Sequence, residues 1–350
     1  MRIAQVAPLY ESVPPPSYGG TERIVSYLTE ELVRQGHEVT LFASGDSKTK
    51  AKLIAPCEKS LRSVKADDPL AHHMVELKMV QDHILDFDII HYHIDYLHYP
   101  FSRFSKTPHV TTMHWRLDQP DLERLYQVFS DIPVISISDA QRKPQPHINW
   151  ISTVYHGFPQ NNFPYVPEKG DYLAFMSRLA PVKRVDRAIK IAKKTGIKLK
   201  IAGNINPEDE TYFNNHVAWQ LDDPLVEYVG SVGDEQKAEF LGNALCMLFP
   251  IDWPEPFGMV MAEAMACGTP VIAFNKGSVE ELIKPGINGF VVNTIEEAVD
   301  AVHKLDQINR SACRNYFEEN FQVTHMANQY VKAYEQVIER WAEKEYSQIN

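Results

Sequence analysis

The chain has 350 residues, and at ~150 residues per domain its length favours about two domains. Hydrophobic residues make up 44% and charged residues 23%, which is ordinary for a globular protein and excludes disordered, collagen-like and coiled-coil chains. The net charge is −11, and an acidic chain binds nucleic acid or anionic membranes poorly. We therefore expect no nucleic-acid partner.

The cysteine pattern and the hydropathy bear on the compartment. The four cysteines form no CxxC pair, so a disulfide framework is not indicated and a reducing compartment fits better. The first ten residues turn polar and proline-rich too soon for a secretory signal, and no run of ~18 apolar residues occurs. These observations predict a cytoplasmic protein.

The first half of the chain alternates strands and helices. A strand at Arg2–Ala7 is followed by a loop and a helix from Thr21, which is the expected N-cap. Gly36 should end that helix, and HEVTLFAS returns as a strand, which completes a βαβ unit and indicates a parallel sheet. Further strands are predicted at Asp88–His93, His109–Met113 and Val134–Ser138.

A second alternating series follows the Pro- and Asn-rich stretch Pro159–Pro167. Its predicted strands are Tyr172–Met176, Lys198–Ala202, Val226–Val229, Cys246–Phe249 and Pro270–Ala273, and its predicted helices are Val185–Lys194, Asp234–Ala244 and Met259–Ala266. We expect two doubly wound α/β domains, at 1–164 and 165–325, with a helical tail at 326–350 that packs back towards the first domain. Ligands of such sheets bind at the carboxyl ends of the strands.

The segment Asp252–Pro270 contains two glutamates with candidate functions. Glu255 and Glu263 are eight positions apart, and flanking prolines keep Glu255 in the turn before a helix. Gly258 lets a ligand approach the helix start, where free N–H groups suit phosphate or sugar oxygens. The alternative is that Glu255 is a charge stabilised by the helix dipole and that Glu263 is solvated.

Two further segments could contact an anion. Arg178 and Lys183 fall on a strand-to-helix loop, where two cations could hold a pyrophosphate; a solvated basic loop is the alternative. Gly19 and Gly20 precede the first helix and allow close backbone approach, although an ordinary turn would use the same residues. Neither GxGxxG nor the P-loop pattern is present.

Taken together, these segments resemble the retaining GT-B glycosyltransferases of family 4, over nearly the whole chain. The E-x7-E motif of that family matches Glu255 and Glu263, its R-x4-K pair matches Arg178 and Lys183, and its glycine loop matches Gly19 and Gly20. The resemblance implies a GT-B fold of two Rossmann-like domains facing across a cleft. It also implies a hexose transferred from a nucleotide-diphosphate sugar, UDP-linked by default, to an acceptor hydroxyl.

The resemblance also assigns roles. It places Arg178 and Lys183, with Gly19 and Gly20, on the diphosphate, and Glu263 on the ribose. The donor sugar would be held by Glu255 and by the segment Phe257, Gly258, Met259 and Val260, and the base by backbone near Val232 and Gly233. His114 matches the histidine that the family places beside the sugar, and we expect it to donate a hydrogen bond there. Asp95 and Trp115 are positional candidates for the acceptor pocket.

Members of the family typically retain the anomeric configuration without a metal ion, so no cofactor is expected. Two patterns could suggest otherwise. His91 and His93 form an HxH pair, but no third zinc ligand is marked by spacing, and lining of the cleft is the preferred interpretation. Asp86 and Asp88 form a DxD, which the pattern places in a helix-to-strand connection.

Three residues depart from the family pattern, and several alternatives stay open. Arg184 stands where glycine is frequent, His156 where asparagine is frequent, and Pro256 where a small residue is common. The alternative functions are a GT-B epimerase or phosphorylase and a non-catalytic sugar-nucleotide-binding protein. The acceptor is a glycan or a small molecule, read by the loops 10–20, 44–70 and 94–106. A soluble acceptor and a loosely membrane-associated one are both compatible with the sequence.

Overall fold

A computed structural model describes residues 1–16 and 19–349, with side chains throughout except those of Asp234 and of residues 344–349. Ser17 and Tyr18, which belong to the predicted acceptor loop 10–20, lie outside the described residues. The chain divides into two compact units. One contains Met1–Gly157 together with the chain from Val323 onward, and the other is Phe158–Gln322.

The first unit is a parallel α/β sheet. Its described strands follow the order β3-β2-β1-β4-β5-β6-β7, and every pairing is parallel. The strands are β1 Arg2–Val6, β2 Glu38–Phe42, β3 Lys52–Ile54, β4 Ile89–Tyr92, β5 His109–Thr112, β6 Val134–Ser136 and β7 Trp150–Thr153. The helices are α1 Gly20–Arg34, α2 Pro69–Asp82, α3 Tyr99–Ser102, α4 Pro120–Val128 and α5 Asp139–Arg142.

The second unit repeats this architecture. Its described strands follow the order β10-β9-β8-β11-β12-β13, again all parallel. The strands are β8 Tyr172–Met176, β9 Leu199–Ala202, β10 Val226–Gly230, β11 Ala244–Phe249, β12 Val271–Phe274 and β13 Gly289–Val292. The helices are α6 Val185–Thr195, α7 Glu210–His216, α8 Asp234–Gly242, α9 Met259–Ala266, α10 Val279–Leu282, α11 Ile295–His303 and α12 Arg310–Asn320. Two doubly wound α/β domains are therefore confirmed.

The last helix, α13 at Val323–Ile349, belongs to the first unit. It packs on α1, β5 and β7, and it buries Tyr330 and Tyr334 completely. The chain passes between units at Gly157/Phe158 and Gln322/Val323, whereas the sequence analysis placed these boundaries at 164/165 and 325/326. Phe158 explains the earlier first crossing, because its backbone N–H donates to the Phe321 carbonyl at 2.8 Å within the second unit.

One local expectation is wrong, and three strands were not predicted. Helix α1 begins at Gly20 with Gly19 at the N-cap position, so Thr21 lies inside the helix and does not cap it. The strands missed from the sequence are β3, β7 and β13, and each lies at an edge of its sheet. Among the described residues, no helix combines the length and the apolar character that crossing a membrane requires.

Candidate functional site

The loop between β11 and α9 carries Glu255. The carboxylate accepts a hydrogen bond from Trp253 Nε1 at 2.8 Å and contacts the ammonium group of Lys183. Lys183 lies in the turn after β8, and its Nζ is 4.6 Å from the centre of the Trp253 ring. The structure therefore brings together two residues that the sequence analysis took from separate motifs. It adds Trp253, whose only sequence signal was its position in the DWPEP segment.

Glu263 lies on α9 and is 2% exposed, so the alternative of a solvated glutamate is wrong. Its Oε1 accepts from Nζ of Lys237 on α8 at 2.9 Å. Burial of a carboxylate is costly without such a partner, so this pair stabilises the charge of Glu263 inside the unit. Lys237 was not identified from the sequence, because nothing in its local pattern relates it to Glu263, which is far along the chain.

Arg178 and Lys183 contact different carboxylates. The Arg178 guanidinium lies 3.0 Å from Glu208 and 3.4 Å from Asp209, whereas Lys183 contacts Glu255. Lys183 keeps 16% of its side chain exposed and Arg178 29%, so neither is a freely solvated basic residue. Ion pairs within the second unit therefore hold both cations in position without a ligand.

Arg184 explains one departure from the family pattern. Its backbone is left-handed at φ 55°, a conformation that glycine adopts at little cost, and this accounts for the glycine frequent at this position in the family. The Arg184 guanidinium pairs with Asp186 and Asp252, so its charge is already matched within the unit. Asp252 also accepts from Arg187 at 2.9 Å.

The amino end of α9 is braced by the next loop. Gly258 precedes the helix with φ 80°, after Phe257, and Met259 and Val260 are the first two helical residues. The backbone N–H of Ser278 donates to the Glu255 carbonyl at 3.0 Å, and the Ser278 hydroxyl donates to the Phe257 carbonyl at 2.8 Å. These two bonds fix the segment that carries Glu255.

The two remaining glycine loops lie in different units. Val232 and Gly233 precede α8, and the Gly233 N–H donates to the Gln236 side chain at 3.3 Å. Gly19 precedes α1 with φ 150°, and a Cβ there would lie 2.8 Å from Pro15 Cβ, so only glycine fits. Gly20 begins the helix and is exposed.

The first unit places His114 just after β5. Its Nε2 lies 2.8 Å from Nδ1 of His93, and its ring stacks on His156 at 5.5 Å between centroids. Burial lowers the pKa of His114 to about 3, and it lowers the pKa of His93 and His156 well below the ordinary value, so these rings are neutral. Nothing in the sequence pattern relates His93 to His114, although the two rings are in contact.

Residues of the HxH pair and of the DxD pattern contact other side chains of the first unit. His91 and His93 contact Tyr334 and Gln5 respectively, and the Asp88 carboxylate pairs with Arg2 at 2.7 Å. The described residues contain no group of three or more His, Cys, Asp or Glu side chains arranged to hold a metal ion. Asp95 has a left-handed backbone at φ 50°, and burial raises its pKa to about 6, while Trp115 is 49% exposed.

Models of known protein families match both units of the chain. Residues 160–322 match the model of glycosyl transferases group 1, and residues 18–143 match that of Glycosyltransferase Family 4. An uncharacterized glycosyltransferase of Methanocaldococcus jannaschii is 24% identical over 83% of this chain and 85% of its own. The N-acetyl-alpha-D-glucosaminyl L-malate synthase of Bacillus anthracis is 24% identical over 92% of this chain and 95% of its own. Several other curated relatives, among them D-inositol 3-phosphate glycosyltransferases of mycobacteria, are matched over only about a third of their length.

Solved structures share the fold. Sucrose-phosphate synthase of Thermosynechococcus elongatus has a TM-score of 0.80 at 16% identity, covering 97% of this chain and 100% of that one. The Anabaena protein HepE, solved in complex with UDP-glucose, has a TM-score of 0.74 at 17% identity, covering 96% and 100%. Glycosyltransferase family models therefore match both units, and the two parallel-sheet domains have the GT-B fold of these structures.

Proposed function

We propose that the chain is a retaining hexosyltransferase. It transfers a hexose, from UDP-hexose by default, to an acceptor hydroxyl without a metal ion. The observation that carries the proposal is the contact of Lys183, Glu255 and Trp253 beside the amino end of α9, within the group 1 domain. The UDP-glucose bound to the structurally similar HepE supports a UDP-linked donor.

The chemistry of transfer suits these residues. Breaking the bond from the anomeric carbon to the phosphate puts negative charge on the leaving diphosphate and positive character on the sugar. Lys183 and Arg178 would stabilise the first, with N–H groups at the start of α9, and Glu255 would hold hydroxyls of the sugar. Fixed cations can do this without a metal ion. We keep the predicted roles of Glu263, Val232 and Gly233 towards the nucleotide, and of Gly19 and Gly20 towards the diphosphate.

Retention would follow if the acceptor hydroxyl enters on the same face as the leaving phosphate, whose oxygen takes the proton. In this proposal Glu255 is not a nucleophile. A neutral His114 with a pKa near 3 is a weak base, which favours such a route over one in which histidine deprotonates the acceptor. The anomeric configuration of the product, measured by NMR, tests retention directly.

The test begins with thermal shifts for a panel of nucleotide sugars, with and without Mg²⁺ and EDTA. A ligand at ~100 times its Kd should stabilise the folded protein by about 2.7 kcal/mol, and EDTA should change nothing. Donor consumed without an acceptor would favour the epimerase, and binding without turnover would favour the non-catalytic protein.

Glu255→Gln then tests the site. Loss of the carboxylate should reduce transfer by about 100-fold, because an interaction with the reacting sugar is removed. Glu280→Gln is the matched control, since Glu280 is an exposed glutamate of the same unit that accepts from Asn275 at 2.8 Å. Transfer by Glu255→Gln at the rate of the control would refute the assignment of Glu255.

A further inference from the structure

A continuous chain of hydrogen bonds runs from α13 to His114 inside the first unit. Apart from His114, which is half-buried, every member is at most 2% exposed. In order, the contacts are Tyr330 to Thr112 at 3.0 Å, Thr112 to His91 at 2.7 Å, His91 to Tyr334 at 2.7 Å, Tyr334 to Gln5 at 3.0 Å, Gln5 to His93 at 2.7 Å and His93 to His114 at 2.8 Å.

The three histidines of this chain are neutral. Burial lowers the pKa of His91 and His93 well below the ordinary value and that of His114 to about 3. A neutral imidazole carries one proton, so one ring nitrogen donates and the other accepts. The donor-to-acceptor direction of each hydrogen bond therefore determines the direction of the next. The hydrogen-bond chain as a whole has only two possible directions.

The α13 end sets the direction. The Thr112 hydroxyl donates to the Tyr330 oxygen, and this bond uses the only proton of the Thr112 hydroxyl. His91 Nε2 must then donate to Thr112, and His91 Nδ1 must accept from the Tyr334 hydroxyl. A second contact gives the same direction, because the amide nitrogen of Gln5 donates to the Tyr334 oxygen.

The other half of the chain carries this direction to His114. The Gln5 amide oxygen accepts from His93 Nε2, so His93 Nδ1 is unprotonated and accepts from His114 Nε2. His114 therefore donates its Nε2 proton to His93, and the unprotonated Nδ1 of His114 carries a lone pair. Among the described residues of the protein, Nδ1 of His114 has no hydrogen-bond partner.

We propose that His114 accepts a hydrogen bond from a substrate hydroxyl through Nδ1, and that Gln5, His93, Tyr334 and Tyr330 are positioning residues that fix this tautomer. The inference rests on the proposed function and revises the expectation that His114 donates. A ring in this tautomer holds a hydroxyl and cannot donate a proton to the developing charge of the leaving phosphate. That charge would be left to groups such as Lys183.

The tautomer can be measured without any substrate. Long-range ¹H–¹⁵N correlation spectra of the full chain with ¹⁵N-labelled histidine distinguish the two neutral tautomers, and His114→Gln or His114→Ala identifies the signal. We expect His114 protonated at Nε2. A proton on Nδ1, or rapid averaging between the tautomers, would overturn the proposal.

Tyr330→Phe tests whether the hydrogen-bond chain determines the tautomer of His114. Without the Tyr330 oxygen, the buried Thr112 hydroxyl finds its acceptor by donating to His91 Nε2, which reverses every later link and turns the Gln5 amide over. We expect His114 to become protonated at Nδ1 in this variant. Tyr126→Phe is the matched control, because it removes another buried tyrosine hydroxyl that is not part of the chain. A His114 tautomer that does not change in Tyr330→Phe would overturn the positioning role.

Transfer kinetics separate this inference from the proposed function. With UDP-glucose as donor, Tyr330→Phe should lower kcat/KM about tenfold, the effect of one lost hydrogen bond to substrate, while Tyr126→Phe stays within about twofold. A reversed tautomer with unchanged kcat/KM would refute the contact of His114 with substrate. Absence of transfer from every donor would refute the proposed function, and the NMR spectra would still decide the tautomer.

Discussion

Gly277 sets the position of Glu255 through direct backbone contact. It follows β12 with φ 60°, and an added Cβ would lie 2.3 Å from the Glu255 carbonyl oxygen and 2.4 Å from the Glu255 nitrogen. Ordinary contact for a Cβ begins near 3.4 Å, so Gly277→Ala must move the two segments apart by about 1 Å. Because the neighbouring Ser278 N–H is bonded to the same carbonyl, the displacement falls on Glu255.

The expected loss of transfer follows from that displacement. A catalytic group misplaced by about 1 Å can cost about 100-fold in rate. Alanine in a left-handed conformation also costs about 1 kcal/mol in stability, which would confuse a single measurement. Gly286→Ala is the matched control, because Gly286 also has a positive φ, 80°, but a Cβ added there would meet no described atom within 4 Å.

The assay compares kcat/KM with UDP-glucose and the Tm of both variants. Both should lose stability from backbone strain, and Gly277→Ala should lose more because of the contact with Glu255. Gly286→Ala should keep transfer within about threefold, whereas Gly277→Ala should fall by about 100-fold. A folded Gly277→Ala protein with the transfer rate of Gly286→Ala would refute the reasoning, since Glu255 would then tolerate displacement.

Two further predictions concern buried charges. Glu76 is fully buried, neither oxygen has a partner among the described residues, and burial raises its pKa well above the ordinary value. The unfolded chain ionises this carboxyl above pH ~4.5 while the folded chain keeps it protonated, so stability falls as pH rises, by up to about 1.4 kcal/mol per pH unit. In urea unfolding between pH 5 and 7, the free energy of unfolding of Glu76→Gln should rise relative to that of the wild type by this amount per pH unit. The same pH dependence of stability in both proteins would contradict the prediction. In the same assay Arg310→Met should lose about 3 kcal/mol of stability, because Arg310 is 8% exposed and its guanidinium donates to oxygens of Val166, Gly242, Ala244 and Thr269. Arg124→Met is the control and should change little, because Arg124 is an exposed residue of α4.

The sequence predicted the regular part of the fold well. Apolar periodicity and helix-ending glycines placed β1, α1 and most of the second unit within a few residues, because these signals are local. The edge strands β7 and β13 were missed because their half-buried side chains show no clear alternation. The spacing of Glu255 and Glu263 indicated a site, but the cation that meets each of them comes from a separate element.

The positioning residues of His114 were beyond sequence reasoning for a similar cause. The Gln5 to Tyr334 bond joins positions 329 apart. The pattern of α13 indicates an apolar helix face, but it does not indicate the surface against which that face packs. The two tyrosines look like ordinary core residues until their hydroxyls are seen to contact Gln5, Thr112 and His91.

The charges of the proposed donor site occur as matched pairs. Lys183 with Glu255, and Lys237 with Glu263, satisfy each other inside the second unit. A nucleotide sugar offers phosphate oxygens to cations and hydroxyls to carboxylates, so it can replace both members of a pair together. A diphosphate without its sugar would draw Lys183 away and leave Glu255 with the Trp253 donor, which is costly for a carboxylate that is 12% exposed. Under the proposed function, we therefore expect the pairing to favour binding of the complete donor over binding of its diphosphate product.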